Sequence, residues 1–266
     1  MNTAARLTWL WILIVGVGLY LLVRHTLIAT GDPNYLPALI LLGAAVVPVS
    51  FVAFVSERQL PYDVSSGLLV IIALVGGVIG TVVAGSLEYR TLTDLGVLPL
   101  VWVAVFEEAA KLIAPAAVLF FTQHRRHPAD GLLLGVAAGA GFAVLETMGY
   151  AFVVLIQSNG NISAVDGVLL VRGLLSPAAH MAWTGLTAAA LWRTAGRGEG
   201  AFSGLRFVAV FLLAVILHAA WDSIHTETGY AVLAAISLIL LFGTVHGLRQ
   251  AANQNLRGRI PRAVFR

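Results

Sequence analysis

The chain has 266 residues, of which 59% are hydrophobic and only 11% are charged, whereas a soluble domain carries about a quarter charged residues. A soluble fold of this length cannot bury that much apolar surface, so lipid must surround the chain. The net charge of +3 comes from arginines in predicted loops and the tail, which favours a membrane surface over nucleic acid as partner. The sequence has no cysteine, which excludes disulfides and Cys-ligated zinc.

Eight apolar segments are long enough to cross about 30 Å of hydrocarbon. The first lacks a small-residue cleavage site and is therefore predicted to be a retained span rather than a signal peptide. We expect an all-α, polytopic integral membrane protein, with one helical bundle over residues 1–248 and a basic cytoplasmic tail over residues 249–266. The predicted spans are 7–23, 35–55, 64–86, 95–121, 131–156, 167–192, 207–224 and 230–248.

The arginines are distributed unequally between the two sides of the predicted membrane. Of the 16 Lys and Arg residues, Lys111 lies inside a span, Arg24, Arg90 and Arg172 fall on one side, and the remaining twelve fall on the other. Cytoplasmic loops carry the excess of Lys and Arg, and an even number of spans places both ends together. Both termini are therefore predicted to be cytoplasmic, in the plasma membrane.

Four consecutive spans carry ionisable side chains in apolar surroundings. In the fourth, three such residues share one arc of helix, because residues three and four apart are neighbours. Counting about 1.5 Å per residue from the cytoplasmic ends places the groups of all four spans in one layer, with only the last one turn closer to the outside. The residues are Glu107, Glu108 and Lys111 in the fourth span, Glu146 in the fifth, His180 in the sixth, and His218 and Asp222 in the seventh.

A structural role in interhelical hydrogen bonds remains an alternative for a single residue of this kind, but not for the set. Each charge at a helix centre costs about 2.5 to 3.5 kcal/mol on insertion scales, so the three glutamates and the lysine together approach about 10 kcal/mol, comparable to the stability of a domain. Pro115 and Pro177 are expected to distort the fourth and sixth helices beside these groups and to open room for water or substrate. The pattern indicates an active site on residues 95–225.

Carboxylates and imidazoles without a serine or cysteine partner suit the activation of water. A glutamate accepts the proton, and histidines or a metal stabilise the oxyanion. The HExxH, GxSG and GxGD motifs of other membrane proteases are absent from the sequence. Two alternatives are a proton- or cation-coupled transporter, because carboxylate and histidine chains also serve proton relays, and a catalytically inactive scaffold.

Four motifs in order resemble those of the PrsW family of intramembrane proteases, which is related to the CAAX prenyl protease and bacteriocin-processing group. The resemblance implies an endopeptidase that hydrolyses peptide bonds of single-span membrane proteins, such as an anti-sigma factor, in regulated proteolysis. The motifs are Glu107-Glu108-x-x-Lys111, Phe142-x-x-x-Glu146, His180, and His218-x-x-x-Asp222.

By the same resemblance, Glu107 or Glu108 would activate water, and His218 with Asp222 would stabilise the intermediate. Asparagine is common in relatives at the position of Asp222, and an ionised acid cannot donate a hydrogen bond.

The resemblance leaves two mechanisms open, because family members are often called metalloproteases whereas related prenyl proteases use glutamate without metal. Two histidines and a carboxylate match a catalytic zinc set. A zinc ion would then be held by His180 and His218 with Glu146 or Asp222; without zinc, Glu146 and His180 would assist the glutamate base.

Overall fold

The computed structural model describes residues 7–58, 60–124, 127–196 and 201–258, and the regular structure in these ranges is entirely helical. Two 3-10 turns, Pro33–Tyr35 and Ser176–Ala178, precede the second and eighth α-helices. The α-helices are α1 (Thr8–Thr30), α2 (Leu36–Ser56), α3 (Ser66–Leu95), α4 (Leu100–Lys111), α5 (Ile113–Phe121), α6 (Pro128–Gln157), α7 (Ile162–Leu175), α8 (His180–Thr194), α9 (Ala201–Ser223) and α10 (Glu227–Gly258).

Seven helical segments within the described residues are long and apolar enough to cross a membrane, and α7 and α8 count together as one of them. The prediction of an all-α, multi-pass membrane protein is confirmed. The helix α10 continues past residue 248 to Gly258. Residues 259–266 of the predicted tail lie outside the described residues, as do seven arginines that entered the charge count: Arg6, Arg125, Arg126, Arg197, Arg259, Arg262 and Arg266.

The predicted fourth span is not a single helix, and it is the predicted span with no counterpart among the seven membrane-length segments. It consists of α4, with 12 residues, and α5, with 9 residues, which meet at Leu112. Pro115 has no N–H to bond the Lys111 carbonyl, and the Leu112 N–H turns back to Ala109 O at 3.2 Å. The distortion that Pro115 was expected to cause is thus a break in the helix at Leu112, one residue after Lys111.

The sixth predicted span is also broken. The helix α7 ends at Leu175, a 3-10 turn containing Pro177 follows, and α8 starts at His180. The distortion expected from Pro177 is a late start of α8. A helix N-terminus with His180 as its first residue consequently lies inside the bundle.

The helix α6 is the centre of the bundle, and its glycines let two neighbours approach closely. Facing α8, a Cβ on Gly139 would lie 2.5 Å from the His180 carbonyl oxygen. Gly141 of α6 faces Gly77 of α3, and a Cβ on Gly77 would lie 2.7 Å from the carbonyl carbon of Gly141. These glycines therefore mark close helix contacts, and the contacts set the depth of α8 and α3 against α6.

The helix α7 is tied to α1 by a polar cluster. The Arg24 Nε donates to Asp166 Oδ2 at 2.6 Å, and the Tyr20 hydroxyl donates to Asp166 Oδ1 at 2.6 Å. Asp166 therefore holds α7 in place just before Arg172, which lies less than two turns further along the same helix.

Replacing Gly77 by alanine should destabilise the bundle, because the added Cβ would lie within 2.7 to 3.0 Å of three backbone atoms of Gly141. Overpacking of this kind costs about 1 to 3 kcal/mol. Gly85, on the same helix, faces open space, so Gly85→Ala should be neutral or slightly stabilising, since alanine has the higher helix propensity. Thermal unfolding of both variants in one detergent measures the difference, and equal midpoints would contradict this packing.

Candidate active site

Lys111 is the cation at the centre of the predicted polar layer, and it is fully buried. Its ammonium Nζ donates to Glu108 Oε1 at 2.8 Å and lies 3.1 Å from Glu107 Oε2. It also lies 2.7 Å from His180 Nδ1. Because an ammonium can only donate, this Nδ1 accepts, and the imidazole proton of His180 sits on Nε2.

Glu146 on α6 lies between His180 and Arg172. Its Oε2 is 2.9 Å from His180 Nε2 and 2.7 Å from the Arg172 guanidinium, although neither contact has the angles of a hydrogen bond. The same guanidinium lies over the Tyr150 ring, 4.0 Å from its centroid. Glu146 therefore couples α7 to α8 through charge.

His218 on α9 is fixed on two sides. Its Nδ1 donates to Glu108 Oε1 at 2.9 Å, and its ring stacks on Trp183 with 5.0 Å between centroids. The Nε2 is left facing two carboxylates, 3.6 Å from Glu107 Oε2 and 3.5 Å from Asp222 Oδ2. The Nδ1 of His218 is thus held by a hydrogen bond within the protein, and its Nε2 faces Glu107 and Asp222.

The two adjacent glutamates differ in what they contact. Glu108 is wholly inaccessible, and its Oε1 accepts from both Lys111 and His218. Glu107 is 7% exposed, and its Oε2 has no hydrogen bond within the described residues. Each glutamate thus keeps an Oε2 without a hydrogen bond among the described residues, and the two differ in that Glu107 is partly exposed whereas Glu108 contacts Lys111 and His218 through its Oε1.

All seven residues predicted for the site meet in one connected set of contacts, at the layer expected from the depth count. The helices α4, α6, α8 and α9 each supply members, as the sequence analysis expected. The roles assigned to the residues stay predictions. The members are Glu107, Glu108, Lys111, Glu146, His180, His218 and Asp222.

Three of these residues suit a metal ion. Glu107, His180 and His218 are buried, and one ligand atom from each lies within 4.8 Å of the others. Two histidines and a glutamate are a known catalytic zinc set, and Glu108 on the Nδ1 of His218 is the outer partner that such histidines use. The residues therefore fit a metal, and a cation there would compete with the Lys111 ammonium for Glu107 and His180.

The carboxylate that joins the two histidines differs from the sequence expectation. Glu146 and Asp222 were expected there, but each of them contacts one histidine. Glu107 faces both, because the start of α8 and the C-terminal part of α9 both pack against α4.

Sequence reasoning missed two charged residues beside the site. Glu88 lies seven residues before the end of α3 and Glu107 seven after the start of α4, so in this antiparallel pair both lie about 10 Å from the helix ends. Glu88 interacts electrostatically with Lys111 and His218, but the predicted third span stopped at residue 86. The arginine count placed Arg172 on the non-cytoplasmic side of the membrane. Its position inside the apolar segment 167–192 was the feature of the sequence that could have indicated a role within the bundle.

A sequence model described as the PrsW family intramembrane metalloprotease matches residues 64–246, which is more than half of the chain and includes every predicted site residue. Comparisons with curated proteins and with solved structures find no match. The family match confirms the resemblance drawn from the four motifs, and it favours a hydrolase over the transporter and scaffold alternatives.

Replacing Lys111 by methionine should lower the free energy of unfolding by about 3 to 5 kcal/mol, because two buried glutamates would lose their shared counter-charge. Adding Glu108→Gln removes one of those unpaired charges and should recover part of the loss. Thermal unfolding of the single and double variants in detergent measures the coupling. Strictly additive losses would show that the lysine does not stabilise the glutamate.

Proposed function

Because this chain belongs to the PrsW family of intramembrane metalloproteases, we propose that it is an endopeptidase in which Glu107 activates the attacking water. The observation that supports this role is the 7% exposure of Glu107, whose Oε2 lies 3.6 Å from the Nε2 of His218 and accepts no hydrogen bond among the described residues, whereas Glu108 is wholly inaccessible and its Oε1 is held by Lys111 and His218. A base must have a free oxygen within reach of the water. Glu107 meets this condition better than Glu108.

In the proposed reaction, Glu107 takes a proton from water while the water oxygen attacks the carbonyl carbon of the scissile peptide. The C–N bond then breaks, and the proton held by Glu107 passes to the leaving nitrogen. The products are a carboxylic acid and an amine, which become a carboxylate and an ammonium group when the acid's proton passes to the amine, so one water is consumed per bond. Lys111 balances the negative charge of the glutamates throughout, and Glu108 holds His218 in its orientation.

We assign His218 to the stabilisation of the tetrahedral intermediate, because its Nε2 faces the proposed position of the water. Asp222 lies 3.5 Å from that Nε2 and favours a charged imidazole. Glu146 and Arg172 hold His180 from the opposite side. These are positioning roles, apart from that of His218.

Zinc is the cofactor that the residues suit, with Glu107, His180 and His218 as ligands. A bound zinc would supply Lewis-acid polarisation of the peptide carbonyl. Glu107 would then be a ligand rather than the base. The zinc and glutamate mechanisms therefore differ in the role of this one residue.

The substrate class follows from where the site lies. The reacting groups are inside the bundle, so a substrate must enter from the membrane, as expected for an intramembrane protease. We propose that the substrates are single-span membrane proteins, such as an anti-sigma factor, and that the enzyme acts in the plasma membrane with both termini cytoplasmic. The arginine asymmetry of the sequence supports this orientation.

Glu107→Gln should lower the cleavage rate by about 100-fold or more, because it removes the base while keeping the shape. Glu57→Gln is the matched control: this glutamate accepts from the Thr8 N–H at 3.0 Å and takes no part in the site. Co-expression with candidate single-span proteins identifies a cleaved fragment, whose rate of formation is then measured in detergent. A Glu107→Gln enzyme with near wild-type rate would refute the assignment.

Purified protein should contain about one zinc per chain by elemental analysis if the metal mechanism operates. The His180→Ala/His218→Ala double variant should lose this zinc, since it removes two of three ligands, and chelation should abolish cleavage by the wild type. A zinc-free preparation with full activity would exclude the metal mechanism and leave Glu107 as the base.

A further inference from the structure

The N-terminus of α8 has free hydrogen-bond donors inside the bundle. Its first residue is His180, and no side chain caps it. The first backbone N–H to find a backbone acceptor is that of Trp183, which donates to Ala179 O at 3.0 Å. Within the described part of the chain, the N–H groups of His180, Met181 and Ala182 have no such acceptor, although these residues are buried. Groups of this kind need an oxygen partner.

A cavity of about 100 Å³ opens at this helix end. Ser176, Ala179 and His180 form one wall, at the break between α7 and α8. The opposite walls come from α6, α7, α9 and α10, and they include Thr147, Arg172 and Trp221. The cavity therefore joins the free N-terminus of α8 to the histidine of the proposed active site.

Thr147 contributes a second donor to the cavity. It is 1% exposed, and no acceptor or donor within the described ranges pairs with its hydroxyl. Several helical threonines in the described ranges bond the carbonyl four residues earlier, as Thr81 does with Gly77 and Thr187 with Trp183; Thr147, like the buried Thr184, does not. The hydroxyl of Thr147 is thus buried, unpaired and on the cavity wall.

Arg172 contributes a third donor. Its terminal nitrogen contacts Glu146 at 2.7 Å, but its Nε is buried and has no hydrogen-bond partner among the described residues. The contact with Glu146 keeps the guanidinium beside the cavity. Three kinds of donor consequently border one small space, and among the described residues the Nε of Arg172 and the first N–H groups of α8 have no hydrogen-bond acceptor there.

We propose that this cavity binds the carbonyl oxygen of the scissile peptide, and after hydrolysis the new carboxylate, through Thr147, Arg172 and the free N–H groups of α8. The inference rests on the proposed protease function and extends it by assigning the oxygen-binding donors. An oxygen that becomes negative needs donors, and an ionised Asp222 cannot donate. A helix N-terminus and a guanidinium both favour the negative charge.

The binding test uses acetyl-leucyl-leucine, which ends in a carboxylate, and its C-terminal amide, with purified protein in detergent and equilibrium dialysis. The carboxylate should bind more tightly than the amide and than acetate. Thr147→Val should weaken carboxylate binding about fivefold, the loss of one hydrogen bond, and Thr147→Ser should restore it. Thr187→Val should change nothing, because that equally buried hydroxyl is already bonded within α8.

Equal binding of the carboxylate and the amide would overturn the proposal, as would unchanged binding by Thr147→Val. Acetate bound as tightly as the peptide would also overturn it, since the site would then be a simple anion site. The cleavage assay provides a second measurement. Thr147→Val should lower kcat while KM changes little, because the hydrogen bond from Thr147 to the carbonyl oxygen strengthens as that oxygen becomes negative in the transition state. Dialysis needs no cleavage, so a failed binding test leaves the role of Glu107 standing, and an inactive protein can still show carboxylate binding.

Discussion

The buried ammonium of Lys111 is the interaction on which the rest of the site depends. It contacts Glu107, Glu108 and His180 at 3.1, 2.8 and 2.7 Å in a place that water does not reach. Without a counter-charge, two adjacent glutamates in the middle of a membrane protein would each resist ionisation, because an isolated charge is costly in a low-dielectric interior. The Lys111 ammonium therefore stabilises the ionised form of the two glutamates, and it also determines which nitrogen of His180 carries the proton.

The geometry around this cation comes from close helix packing and two helix breaks. The glycine faces of α6 bring α3 and α8 within backbone contact, so that charged side chains from four helices converge on a small volume. Pro115 interrupts the helix immediately after Lys111, and Pro177 delays the start of α8 until His180. A continuous sixth span would have paired the first N–H groups of α8 with preceding carbonyls and left none for a substrate.

The site contains some polar groups that are held by hydrogen bonds and others that have no hydrogen-bond partner. Glu108 and one nitrogen of His218 are held by hydrogen bonds, which preserves the orientation of the reacting groups. The Oε2 atoms of Glu107 and Glu108 and the Nε of Arg172 are buried without a hydrogen bond among the described residues, and the first N–H groups of α8 have no backbone acceptor there. Catalytic sites hold such unsatisfied groups because substrate and transition state complete them, whereas a structural polar network would pair them within the protein.

The sequence by itself determined the membrane class, the approximate spans and the seven polar residues, because the cost of burying charge in lipid makes such residues stand out and helical spacing shows which of them share a face. It could not determine which atoms meet. That Glu107 joins both histidines, that Glu88 and Arg172 border the site, and that the start of α8 is uncapped depend on the rotation and depth of each helix relative to its neighbours. The tertiary structure decided these through the backbone contacts at Gly77 and Gly139 and the break at Pro177, because periodicity specifies faces within one helix and carries no information on how two faces are turned toward each other.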